Sequence, residues 1–123
     1  MEVTVAKNEK VANMIFGSIY PLYLNRLEKK GRTKEELDQL IRWFTGFDQE
    51  RLQCLINEKV SYRHFFQEAT IHPNAHLIKG VVCGYRIEEI DDQFDVYKQC
   101  RRLEKLIDEL ARGRKMEKIL RKD

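Results

Sequence analysis

The feature that most constrains this chain is a capping residue set before an apolar stripe at helical spacing, repeated along the sequence. Thr33-Lys34-Glu35-Glu36 has the form of a capping box: the Thr33 hydroxyl takes the Glu36 amide, and the Glu36 carboxylate reaches back. Behind it Leu37, Leu40, Ile41 and Phe44 follow i, i+3, i+4, i+7, the pattern of a half-buried helix, and Gly46 stops it. Asp48 then caps a helix carrying Leu52, Leu55 and Ile56, and Ser61 caps a short one whose stripe is Tyr62, Phe65, Phe66 and Ala69. Upstream, Ser18 is placed to cap a helix with Pro21 in its first turn, where a missing N–H is tolerated; Leu22, Tyr23 and Leu27 share its face. Downstream, Val96, Cys100, Leu103, Ile107 and Leu110 alternate steps of four and three along a long amphipathic helix that Gly113 ends. Met116, Ile119 and Leu120 add one more amphipathic turn.

These stripes need a common core, and Leu77–Tyr85 is the stretch apolar nearly all round. Leu77, Val81 and Tyr85 repeat every four residues, while Gly80 and Gly84 leave a flat seam opposite. The helical reading makes this the central rod of the fold, capped by Asn74. Val81–Ile87 also satisfies a short buried strand. The predicted architecture is all-α: a compact multihelical single domain of about six helices around a central apolar helix, Leu77–Tyr85, with a long C-terminal amphipathic helix. Residues 14–123 form that domain. Residues 1–13, polar and without period, read as a loose N-terminal arm.

At 123 residues the chain supports one domain with a real core. It has no apolar run of about eighteen residues and no signal-peptide pattern, so no membrane partner is expected. Cys54, Cys83 and Cys100 lack metal-ligand spacing and read as free thiols, Cys83 and Cys100 as small buried hydrophobes, which places the chain in a reducing cytoplasm. Net charge is +3, with nine Lys/Arg against five Asp/Glu from Arg101 to Asp123 and near balance before that. This mild basic tail is far from the footprint of a dedicated nucleic-acid binder.

The blocks Phe16–Phe47 (FGSIYPLYLNRLEKKGRTKEELDQLIRWFTGF), Leu77–Ile90 (LIKGVVCGYRIEEI) and Leu103–Leu120 (LEKLIDELARGRKMEKIL) resemble, in this order, a small bacterial family known only as domain of unknown function 2200. The resemblance implies a mostly helical bacterial protein with no assigned activity, and it carries no catalytic residue to this chain. His72 and His76 lie outside the resembling pattern.

Functional candidates are few. Tyr20, Tyr23, Arg32 and Trp43 gather around the first two amphipathic helices and their turn; a half-exposed Trp beside Tyr and Arg suits a binding groove. The reading adopted is a cytoplasmic binding or interaction module, with a protein partner or a homodimer through the Val96–Leu110 seam. The alternative is a small enzyme or ligand-binding protein using Tyr, His64 and carboxylates. A third reading takes Thr33–Glu58 as helix-turn-helix-like, with Gln49 and Arg51 reading bases, but the segment lacks the surrounding cations that hold phosphate. His64, His72 and His76 read as surface or loop residues, since Pro73 forces His72 out of helical geometry. Glu88, Glu89, Asp92 and Asp95 read as a solvated acidic helix start. No metal site and no cofactor is predicted.

Overall fold

The computed structural model describes residues 2–121. Lys122 and Asp123, the end of the predicted domain and of its basic tail, lie outside the described residues. In chain order the elements are α1 (Val5–Ala12), α2 (Phe16–Glu28), α3 (Lys34–Thr45), α4 (Gln49–Asn57), α5 (Tyr62–Glu68), β1 (Val81–Val82), β2 (Tyr85–Arg86), α6 (Asp95–Ala111) and α7 (Met116–Ile119). The architecture is mostly helical and forms one domain, as the stripes require.

The caps of α3, α4 and α5 form as the sequence predicts, whereas Asn74, expected to cap the central rod, lies inside a 3₁₀ turn and donates its amide to His72 Nδ1. Thr33 and Glu36 make the full capping box of α3, Gly46 closes that helix at φ 76°, and Asp48 and Ser61 accept the amides of Arg51 and His64. The start of α2 differs. It begins at Phe16 rather than after Ser18, because the Phe16 amide is held by the Val60 carbonyl (2.9 Å) and the Tyr62 amide by that of Met14 (2.8 Å). This bridge joins the openings of α2 and α5. Pro21 consequently sits in the body of α2, on its exposed side.

The centre of the fold is α6, not Leu77–Tyr85. Helix α6 meets α1, α2, α3, α5, α7 and β1, and it buries Tyr97, Cys100, Leu103, Leu106, Ile107 and Leu110. The seam proposed for a homodimer is thus covered by the chain's own core, with Val96 half-buried at its start. In place of the central rod, residues 73–77 form a 3₁₀ turn and residues 81–86 a two-stranded antiparallel hairpin. The reason is backbone geometry. Gly80 has φ 105°, and Cys83 and Gly84, the two residues of the turn, have φ 52° and 82°. Positive φ at both central positions is what a type I′ hairpin turn needs and what a right-handed helix forbids. Val82 and Tyr85 then point inward while Val81 and Arg86 point out, the period of a half-buried strand.

Residues 5–12, expected as a loose arm, form α1. The Thr4 hydroxyl accepts the Lys7 amide, Ala12 is fully buried, and the Asn8 side chain accepts the Tyr97 amide (3.0 Å) in the first turn of α6. A residue of the first helix thereby caps the sixth. With Ala12 its one fully buried residue and Val11 half-buried, α1 has too slight an apolar stripe for periodicity to mark it.

Candidate functional site

The four residues predicted to share a groove have four different environments. Tyr20 is buried and donates its hydroxyl to Asp38, itself 1% exposed, which also accepts from Lys34 Nζ (2.6 Å) and Gln49 Nε2 (2.9 Å). Burial first, and then Asp38, push the Tyr20 phenol well above its ordinary range. This cluster ties α2, α3 and α4 together. Arg32 pairs with Glu36 (3.2 Å) and donates to the Arg114 carbonyl (3.1 Å). Trp43 is half-buried against the core edge, stacked on His72 with ring centroids 4.3 Å apart. Tyr23, whose hydroxyl lies 2.5 Å from that of Tyr62, borders a cavity.

The other candidates disperse as well. His64 pairs with Glu68, His76 Nδ1 lies 2.8 Å from the Pro73 carbonyl, and His72 Nδ1 accepts the Asn74 amide. Glu88 accepts the Gly80 amide, Asp92 pairs with Lys98 (2.7 Å), and Asp95 accepts from Gln99. Among the described residues no group of three His, Cys, Asp or Glu is arranged to hold a metal. Gln49 is held between Arg42 and Asp38, and Arg51 pairs with Glu68, so both proposed base readers are engaged internally.

A site the sequence reading passed over lies between α1 and α6. Its inner lobe, about 200 Å³, is lined by Ile19, Tyr23, Tyr62, Cys100 and Glu104; its outer lobe, about 250 Å³, by Lys7, Lys10 and Tyr97. Val11, Met14 and Arg101 border both lobes. Met14, 39% exposed, is one of the few large apolar side chains left in contact with solvent.

Helix α6 builds the polar wall through i, i+3 and i, i+4 spacing. Arg101 donates to Glu104 Oε2 (2.6 Å) and to the Tyr97 hydroxyl (2.9 Å), and its guanidinium lies over the Tyr97 and Tyr85 rings at 4.7 and 5.6 Å. Burial opposes the charge on Arg101, but Glu104 and Tyr97 outweigh it and hold the group protonated. Glu104 also accepts from Cys83 Sγ (2.9 Å) and Cys100 Sγ (3.5 Å). Both thiols titrate upward, first through burial and then through Glu104, Cys83 to about 11. Neither is an activated nucleophile. Cys83, expected in the core, is instead on the exposed turn of the hairpin with its sulfur turned onto Glu104.

At the mouth, Lys7 Nζ donates to the Tyr85 hydroxyl (2.9 Å), which lowers the pKa of that phenol, while burial pushes Tyr97 up to about 12. The cleft therefore offers three cationic side chains, one carboxylate already tied to Arg101, and apolar walls. It offers fixed charge and shape, the equipment of binding. Sequence reading missed Lys7, Lys10, Arg101 and Glu104 because each looks like ordinary solvated charge. The available signal was Tyr97, Arg101 and Glu104 along one edge of the α6 seam.

A family model described as "Uncharacterized protein conserved in bacteria (DUF2200)" matches residues 10–121. Among solved structures the chain is similar to the crystal structure of uncharacterized protein SP1917, at 35% identity over 91% of each chain with a TM-score of 0.84. No curated protein matches the chain.

Proposed function

We propose that this chain, which belongs to the bacterial DUF2200 family, is a small-molecule binding module whose α1–α6 cleft holds an organic anion. One observation carries the reading: Lys7 and Lys10 stand at a cavity walled by Val11 and Met14, beside an Arg101–Glu104 ion pair whose charges offset one another. An anion gains from cations at the border of an apolar cavity, and the apolar wall excludes small hydrated ions in favour of a ligand with a greasy portion. A cytoplasmic setting is part of this reading, since the three cysteines are free thiols. This reading takes up the ligand-binding half of the alternative given above, in place of a protein partner, and moves the location from Trp43 to the cleft.

The test is a fluorescence titration with 1-anilinonaphthalene-8-sulfonate, an aromatic anion, against its uncharged parent amine at low and high salt. The sulfonate should bind more tightly, and more weakly as salt rises. Lys10→Glu should weaken it about fivefold, the equivalent of about 1 kcal/mol for reversing one exposed charge. Met14→Glu, which puts a carboxylate on the shared wall, should weaken it further. Equal binding of the neutral amine, or indifference to both substitutions, would sink the proposal.

A further inference from the structure

Resting on the anion-binding reading just given, we infer that the occupant is an arylalkanoate: a monocyclic aromatic ring on a short methylene spacer ending in a carboxylate, seated ring first. The argument comes from what each lobe has left to offer. In the inner lobe the polar groups are already partnered except Arg101 Nε, which is closed off from solvent. The Tyr23 and Tyr62 hydroxyls are 2.5 Å apart and bonded to one another, Cys100 donates to Glu104, and Glu104 is paired with Arg101. A second charged or strongly polar group entering there would find no free partner and would lose its hydration, so that lobe selects an apolar end. The cations that remain toward solvent, Lys7 and Lys10, line only the outer lobe. The ligand is thereby oriented: apolar end in, anion out.

Size and wall chemistry favour a ring over a straight chain. An apolar cavity of about 150 Å³ accepts benzene, and the inner lobe is about 200 Å³, enough for one ring. Two phenol rings and two sulfur-bearing side chains, Met14 and Cys100, line this lobe, and aromatic edges and faces interact well with both. The two lobes meet at Val11, Met14 and Arg101, so the spacer crosses that wall to bring the carboxylate to the lysines.

The experiment is isothermal titration calorimetry of the full chain with 3-phenylpropanoate, heptanoate, 3-phenylpropan-1-ol and 2-phenylethylamine, run beside the sulfonate titration above. 3-Phenylpropanoate should bind at least tenfold more tightly than each of the other three. Ile19→Phe, which fills the inner lobe, should remove that advantage. Ile19→Ala, which enlarges the lobe, should raise affinity for 3-(2-naphthyl)propanoate at least tenfold over the parent chain. The two variants are independent, so unfolding of one leaves the other to decide. If the sulfonate binds with Lys10 dependence but heptanoate matches 3-phenylpropanoate, the ring assignment is wrong and the anion site stands. Phenylpropanol binding as tightly as the acid would overturn the proposed orientation. If neither the sulfonate nor any carboxylate binds, the anion-site reading itself fails.

Discussion

Replacing Asp38 with alanine should be among the most damaging single changes in this fold. Its carboxyl group is 1% exposed and accepts from three donors on three elements: the Tyr20 hydroxyl of α2, Lys34 Nζ one turn away on α3, and Gln49 Nε2 at the start of α4. Truncation leaves the Tyr20 hydroxyl buried without a partner, at about 1–3 kcal/mol, and removes two further bonds to a charged acceptor. Lys34, half exposed, recovers water, so its share is small. The expected total is about 3–4 kcal/mol, near the range for breaking a buried pair. For a domain of this size that lowers Tm by about 10–15 °C. Urea denaturation of the parent, Asp38→Ala, Tyr20→Phe and the double variant supplies the check. Tyr20→Phe should cost about 1–2 kcal/mol in the parent but nothing, or even less than nothing, beside Asp38→Ala, because the orphaned hydroxyl is then gone. A loss under about 1 kcal/mol for Asp38→Ala, or strict additivity of the two changes, would refute the account.

Gly17→Ala should destabilise although alanine is the better helix former, because its Cβ would stand 2.4 Å from the Ile56 carbonyl oxygen of α4. The gain of about 1 kcal/mol in propensity is set against overpacking of about 2–3 kcal/mol on rigid backbone, so a lower urea midpoint is expected, while exposed Ser18→Ala should not lower it. Stability should fall above about pH 10, the ordinary tyrosine value. Burial first of all raises Tyr20, Tyr23 and Tyr62, so the unfolded chain releases protons that the folded one retains. Their contribution is complete below the unfolded value and is lost as pH climbs toward the folded ones; urea midpoints measured on both sides of pH 10 test the sign. Thiol labelling followed by peptide mass spectrometry should modify exposed Cys54 first. Cys83, with its thiol pushed up to about 11, should react slowly near neutral pH and faster as pH rises, and Cys100 only on unfolding.

What was legible in the sequence was local chemistry. Thr33 with Glu36, Asp48 and Ser61 act within a few residues of themselves, so their caps could be read directly. The hairpin was harder because valine, isoleucine and tyrosine at 77–87 satisfy both periods. The sign of φ at Gly80, Cys83 and Gly84 settles the matter, and a cysteine in the left-handed region has no sequence mark. Helix α1 escaped because its apolar stripe is too slight for periodicity to mark it. The cleft escaped because Lys7 and Arg101 become neighbours only when α1 docks on α6. Tyr23 borders the cleft, since an aromatic on an apolar stripe is found wherever the core has an edge.

The position of α6 sets the order of events on the ribosome. Helices α1, α2, α3 and α5 rest their apolar faces on an element translated after all of them. A nascent chain that has exposed only these helices lacks the element against which they pack. Closure of the core must await translation of residues 95–111, and until then the apolar faces of the earlier helices have no covering element.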